Sequence, residues 1–365
     1  MDAAAAFVRG GFTAAVALEP GSLPSLDAEV VALCTHSRHD SPGAARRKVR
    51  RACARLRGSG RVLLFKKLDS TAQGNVVAEV EAARDAGGFA LALVSPAHPA
   101  QGRKVRGSVL RVRGGGTVDL AKRFRVQGLR KSGEHRFRIA DATSERDLER
   151  LVGAALRSRQ RVLLAGSAGM AAVLAKLLRR RKLLPKIEVE QLVPKPLALR
   201  LAGASRGVLI FAGSTNPVTN RQLAALIART RAVSLALNRL TRKNAAAALA
   251  SGRHVVIRAP VHRKTDRTIL RQLGALTPLL RARLAGGLLL TGGDTAALVC
   301  RWLRPRAIVV NGEIAPGLAW GRFVGGAAGG LAVCTKPGGF GRDQSLARAV
   351  SFLASAPAGA SSASA

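Results

Sequence analysis

Two α/β domains, each with a mostly parallel sheet flanked by helices, are what this sequence predicts, and three observations carry that expectation. Short apolar runs of strand length alternate with helix-period segments along most of the chain, as in parallel strands joined by crossover helices. The length of 365 residues suits two domains at roughly 150 residues each. A stretch with little periodicity, residues 181–206 with Pro185, Pro194 and Pro196, separates two alternating series. The expected division is a first domain over 1–180, a connection over 181–206 and a second domain over 207–353. A small-residue tail over 354–365 is expected to be disordered.

In chain order, residues 3–9 read as an Ala-rich helix ending at Gly10-Gly11, and apolar strands follow at 13–18 and 29–34. That opening also has the look of a short targeting peptide, but Asp2 and Glu19 disfavour it and the helix-turn-strand reading fits better. Residues 43–57 place apolar positions at helical spacing behind a basic face. A strand over 61–65 delivers the polar run Lys66-Lys67-Leu68-Asp69-Ser70-Thr71, before a helix over 75–86 and a strand over 89–94. Residues 106–138 break the rhythm with short Val/Arg stretches and Gly114-Gly115-Gly116, as a hairpin-containing insertion does. A helix over 145–157, a strand over 161–165 and a helix over 170–180 close the first series. The second series reads as strands at 208–211, 254–259, 287–290, 307–310 and 331–335. Its helices are expected at 218–229, 268–284, 296–303 and 345–353.

Composition narrows the function. There are 60 Lys and Arg against 21 Asp and Glu, a net charge of +39. Such an excess favours polyanions, because binding phosphates releases counterions. The basic residues cluster at Arg46, Arg47, Lys48, Arg50 and Arg51, at Lys122, Arg123 and Arg125, and at Arg179, Arg180, Arg181 and Lys182. No stacking aromatics accompany them, so the charge supports nonspecific polyanion affinity rather than base reading. The four cysteines are scattered and the six histidines dispersed, which predicts reduced thiols, a cytoplasmic setting and no metal cage made of protein ligands. No apolar run approaches the roughly 20 residues that cross a bilayer.

Three strand-to-turn junctions in the second half carry small, hydroxyl or glycine residues: Ala212-Gly213-Ser214, Gly292-Gly293-Asp294-Thr295, and Lys336-Pro337-Gly338-Gly339-Phe340-Gly341. Glycine lets backbone approach phosphate closely, and a following helix presents free N–H groups. Lys336 is read as a point charge toward phosphate. Asp294 has three readings: a partner for Mg²⁺, a ribose contact, or a cap on the helix behind it. No GxxxxGK[ST] pattern is present, so this is not a P-loop protein. In the first half, Lys66, Lys67, Asp69, Ser70, Thr71, Gln73 and Asn75 gather at one strand end. They supply the cations, amides and hydroxyls that an acid sugar needs, and Arg38 at an earlier strand end suits a carboxylate.

These segments also carry a resemblance. KKLDSTAQGN (66–75), SPAHPAQGR (95–103), GSAGMA (166–171), GSTNPVTNRQ (213–222), TGGDTA (291–296), GEIAPG (312–317) and TKPGGFG (335–341) are similar, in order, to the four-carbon acid sugar kinase family. The resemblance implies a sugar-acid-binding first domain and a nucleotide-binding second domain. It also implies Mg²⁺- and ATP-dependent phosphorylation of acids such as threonate, erythronate or 3-oxo-tetronate. By that match, Arg38, Lys67, Asp69, Ser70 and Asn75 face substrate. Ser214, Gly292 and Gly338 to Gly341 face ATP, with Gly293, Asp294 and Thr295 beside the phosphates and Mg²⁺ near Asp294. The family opens on a strand and an Asp-Asp-Leu-Thr-Gly-Ala motif whose aspartate contacts substrate, whereas MDAAAAFVRGGF resembles the helix after it. Gln73 stands where the family has arginine, and Pro96-Ala97-His98-Pro99 where it has PAFP. Without the opening carboxylates no general base is assigned. Two alternatives follow: a nucleotide-binding homologue with impaired catalysis, and a basic scaffold recruited to RNA.

Overall fold

The computed structural model describes residues 1–18, 28–58, 63–128, 136–180, 206–214, 216–238, 240–258 and 266–356. Most of the expected connection, and the tail beyond 356, lie outside the described residues. So do Glu19 and the first two positions of the strand expected over 61–65.

The α/β reading holds. A four-stranded, wholly parallel sheet runs in the order Phe65–Lys67, Val162–Gly166, Leu91–Ser95, Phe137–Ile139. A larger nine-stranded sheet runs Val233–Ala236, Val255–Arg258, Val208–Ala212, Gly287–Thr291, Ala332–Lys336, Leu318–Val324, Ala307–Ala315, Ala14–Ala17, Val30–Leu33. Its first five strands are parallel; the next three pairings are antiparallel. The insertion is a three-stranded antiparallel meander, Arg103–Arg106, Val109–Val112 and Thr117–Asp119.

Strand alternation builds the second core. Leu209, Phe211, Leu288, Leu290 and Val333 face one side of the large sheet, and Val208, Ile210, Leu289, Ala332 and Cys334 the other. Both faces are covered, as the period of two in these apolar strands requires. Helices start where local chemistry places them. Ser144 and Asp147 form a reciprocal capping box on Glu145–Arg157. Asn216 caps Pro217–Thr230, with the proline in its first turn.

One boundary is redrawn. Ala14–Ala17 and Val30–Leu33, expected in the first domain, extend the large sheet instead. Ala14–Ala17 pairs antiparallel with Ala307–Ala315 and parallel with Val30–Leu33. The physical reason is edge closure, since a hairpin rich in buried residues leaves backbone groups that a further strand satisfies. The helix Asp2–Arg9 lies between the two units, with Ala4 and Ala5 in the large sheet's core and Ala6 and Phe7 in the small sheet's core. The basic run at 46–51 lies on the helix Pro42–Gly58. Ala45, Val49, Ala52 and Cys53 are buried while Arg47, Arg50, Arg51 and Arg55 are exposed, and Arg46 and Lys48 pair with Glu81 and Asp40.

Candidate active site between the two sheets

The three glycine-bearing junctions are neighbours in space. In the parallel ladder Ala212 lies beside Thr291, and Thr291 beside Lys336, so all three turns leave the sheet at one level of its carboxyl edge. That edge is where open α/β sheets take ligands. Gly292, at φ 99°, donates its N–H to the Lys336 carbonyl at 2.8 Å. A Cβ on Gly292 would stand 3.4 Å from Ser214 Cβ, and one on Gly338 only 2.7 Å from Ser214 Oγ. Ser214 therefore sits where the other two turns close in, and its hydroxyl accepts from the Asn216 N–H at 3.2 Å.

Lys336 corrects the expectation placed on it. Its side chain is buried, 1% exposed, and Nζ donates to the carbonyls of Pro337, Gly338 and Phe340 at 2.9, 2.9 and 3.0 Å. An ammonium has three donors, and all are spent inside the turn rather than toward phosphate. Burial pulls its pKa down to about 8. Thr219 Oγ1 and Gln222 Nε2 hold two of the same carbonyls, Gly338 and Phe340, and Gln222 also holds that of Arg342. In a trans peptide the C=O and the following N–H point oppositely. Drawing the carbonyls of 337, 338 and 340 inward thus turns the N–H groups of Gly338, Gly339 and Gly341 the other way. None of these three N–H groups makes a hydrogen bond among the described residues. Such a row of free amides is an anion-binding concavity. Thr219 and Gln222, both fully buried, were not singled out from sequence; their signal was polar residues one turn apart on an otherwise apolar helix face.

Asp294 does not cap its helix. The helix Gly293–Leu303 has no side-chain cap, and Asp294 Oδ1 lies 2.8 Å from His39 Nε2 of the first half. Thr295 is buried and faces Gly292, its Oγ1 3.3 Å from where a Cβ would be. Gly293 is exposed, with nothing near its missing side chain. Among the described residues no three of His, Cys, Asp and Glu gather to hold a metal.

On the facing side, Arg38 lies 3.5 Å from Asp69 Oδ2 and donates to Gln73 Oε1 at 2.5 Å. The other Asp69 oxygen accepts from the backbone and hydroxyl of Thr71. Lys67, at the carboxyl end of its strand, donates to the Leu68 carbonyl and pairs with Asp2 at 3.1 Å. Burial raises the Asp2 carboxyl, but the Lys67 charge and its hydrogen bond outweigh it and bring the pKa to about 2. Ser70 is half-buried beside Asp69. Asn75 differs from its expected role, because its amide donates to the Ser37 and Asp40 carbonyls at 2.9 and 2.8 Å. It braces the loop that carries Arg38. Beyond the His39–Asp294 contact, the halves meet at Phe340. Arg103 stacks on its ring 4.3 Å from the centroid, and His98 is 6.2 Å away. Burial holds His98 near a pKa of 4, hence neutral.

The arrangement is a row of anion-ready amides facing a loop of cations and carboxylates, and the chain carrying it is similar in sequence to known proteins. Residues 1–125 match the model of a sugar-binding N-terminal domain, and residues 209–346 that of a nucleotide-binding C-terminal domain. A D-threonate kinase of Bordetella bronchiseptica is 32% identical, over 96% of this chain and 94% of the relative. The chain belongs to the four-carbon acid sugar kinase family. A second member, a D-threonate kinase of Salmonella typhimurium, is 28% identical over 96% of this chain and 95% of its own. Among solved structures, a Haemophilus influenzae protein superimposes with a TM-score of 0.67 at 18% identity, covering 95% of this chain and 96% of its own. That likeness speaks for the fold. Among the described residues, no helix is long and apolar enough to cross a membrane.

Proposed function

We propose that this acid sugar kinase transfers the γ-phosphoryl group of ATP to a hydroxyl of a four-carbon sugar acid, with D-threonate the first candidate and erythronate and 3-oxo-tetronate next. The observation that carries the reading is the set of free N–H groups at Gly338, Gly339 and Gly341 opposite Arg38 and Asp69. The chain's own atoms fit a nucleotide. Gly338 leaves a space that a Cβ would fill against Ser214, and the buried Thr291 hydroxyl has no partner among the described residues. Ser214, the 292–295 turn and the 338–341 turn would hold the phosphates, and Asp294 would meet the Mg²⁺ that accompanies them. Bound Mg-ATP supplies an activated phosphoryl group with part of its charge neutralised.

The residues of this site then do three things. Arg38 and Lys67 bind the acid's carboxylate by charge-assisted hydrogen bonds. Asp69, fixed through Thr71, orients a hydroxyl toward the turn. The backbone amides stabilise charge where it develops, without reorganising at the moment of reaction. A coupled ADP-release assay with D-threonate, D-erythronate and 3-oxo-tetronate tests this, on protein first shown to bind ADP. Turnover with one of the acids is expected. Protein that binds ADP yet turns over none of them would overturn the kinase reading in favour of a homologue with impaired catalysis.

A further inference from the structure

We infer that Arg103 is the cation that receives the phosphoryl group as it passes between the glycine turn and the sugar-acid loop; the inference rests on the kinase reading above. Arg103 opens the strand Arg103–Arg106 and is fixed by reciprocal backbone bonds with His98, at 2.8 and 3.1 Å. It is 8% exposed. One of its five N–H donors is bound to the Gln101 carbonyl. Its Nε is buried without a partner, and the guanidinium forms no ion pair among the described residues. A buried cation with no carboxylate in direct contact is costly, so the site is suited to an anion that arrives from outside.

Position says which anion. The plane of Arg103 stacks on Phe340 of the glycine turn, and its Nη2 lies 4.0 Å from where a Gly339 Cβ would stand. Burial disfavours the charged form of Arg103, and the nearby Asp69 charge acts against that. Arg103 is thus near both the free Gly339 amide and Asp69, the carboxylate expected beside the acceptor. In the step it serves, the bond between the γ-phosphorus and the bridging oxygen breaks, and its electron pair stays on ADP. A bond forms from that phosphorus to the acceptor hydroxyl oxygen, whose proton is released. Arg103 keeps all its protons; its planar fork follows the charge on the transferring oxygens, the geometry for which arginine is suited.

The test compares the parent with R103A and R103M, the latter keeping an unbranched stem against Phe340. Three quantities are read: kcat and KM for the acid, affinity for Mg-ADP, and the tightening of Mg-ADP binding by aluminium fluoride, a mimic of the transferring group. Both variants are expected to bind Mg-ADP within about threefold of the parent. Their kcat should fall about a thousandfold, in the range of arginine cations in phosphoryl transfer, with the acid's KM changed less than the kcat. The aluminium fluoride effect should vanish, and guanidinium ion should restore part of the R103A rate. A kcat within tenfold of the parent overturns the inference, as does a retained aluminium fluoride effect. If neither variant folds, Arg103 is a packing residue and the inference fails. A parent that turns over no four-carbon acid defeats the functional reading alone, because the aluminium fluoride comparison still decides Arg103.

Discussion

At the scale of single residues, Lys336 shows how one buried charge shapes a site it does not touch. Its ammonium gathers three carbonyls, and the peptide geometry exports three N–H groups as a consequence. Its pKa, lowered by burial from 10.5 to about 8, links this to pH. Below about pH 8 folded and unfolded chains both hold the proton. Between 8 and 10.5 only the unfolded chain holds it, so stability rises with pH through that window. Urea unfolding of the parent at pH 7 and pH 9 should show a gain of about 1 kcal/mol from this group, absent in Lys336→Met. Nucleotide affinity should move oppositely. The neutral amine offers two hydrogens to three carbonyls, leaves one peptide held by its other donor alone, and should weaken ADP binding about threefold at pH 9, the worth of one modest hydrogen bond. Calorimetric titration of ADP at the two pH values checks it. An affinity unchanged across the window would mean that the turn holds its shape without the third bond.

At the scale of elements, the sugar-acid side depends on how one helix start grips one loop. Asn75, at the N-terminus of the helix Val76–Gly87, holds Ser37 and Asp40. Gly74 before it, at φ 85°, would place a Cβ 3.1 Å from Arg38 Cγ. Asn75→Ala takes the amide donor from the Asp40 carbonyl and one of two donors from Ser37, at about 1–3 kcal/mol. Steady-state kinetics should show KM for the acid raised about tenfold, with ADP affinity within twofold. An equal loss in both would place Asn75's effect in general stability. The sequence singled out the polar run at 66–75 because it follows an apolar strand. It did not reveal that Asn75 faces its own backbone, because spacing carries no information on where an amide's donors go. The same limit hid the strand Leu318–Val324. Its partner strand continues from Val310 to Ala315 through register shifts, with Gly312 at φ 144°, and such irregularity breaks the alternation by which strands are recognised. The edge strand Val233–Ala236 and the helix Thr241–Ala250 escaped for a related reason: a four-residue half-buried strand and an Ala-rich helix show little periodicity.

At the scale of the molecule, the two halves are tied by the helix Asp2–Arg9. Its first residue pairs with Lys67 on the small sheet, and its last with Glu313 on the large one. Between them Ala4 and Ala5 feed one core while Ala6 and Phe7 feed the other. Ala14–Ala17 then continues directly into the large sheet. Chain order suggested two separable domains, and alternation along the sequence has no means of showing that the first strands cross over. The sharing of one helix by two cores predicts cooperative unfolding. Trp302 and Trp320, the chain's two tryptophans, pack against Phe211 and Phe352 of the large-sheet half and report on that half alone. Far-UV circular dichroism reports on the helices of both. In urea the two transitions should superimpose for the parent. Ala6→Glu places a charge in the small sheet's core at a cost of several kcal/mol, and should lower the tryptophan midpoint as far as the dichroism midpoint, although neither tryptophan lies in that core. A tryptophan transition that stays in place while the dichroism shifts would show two units unfolding independently. The helix would then be a strap only, and the alignment of the glycine turns with the Arg38 loop would fall to contacts such as His39–Asp294, Arg103–Phe340 and Arg179–Glu29.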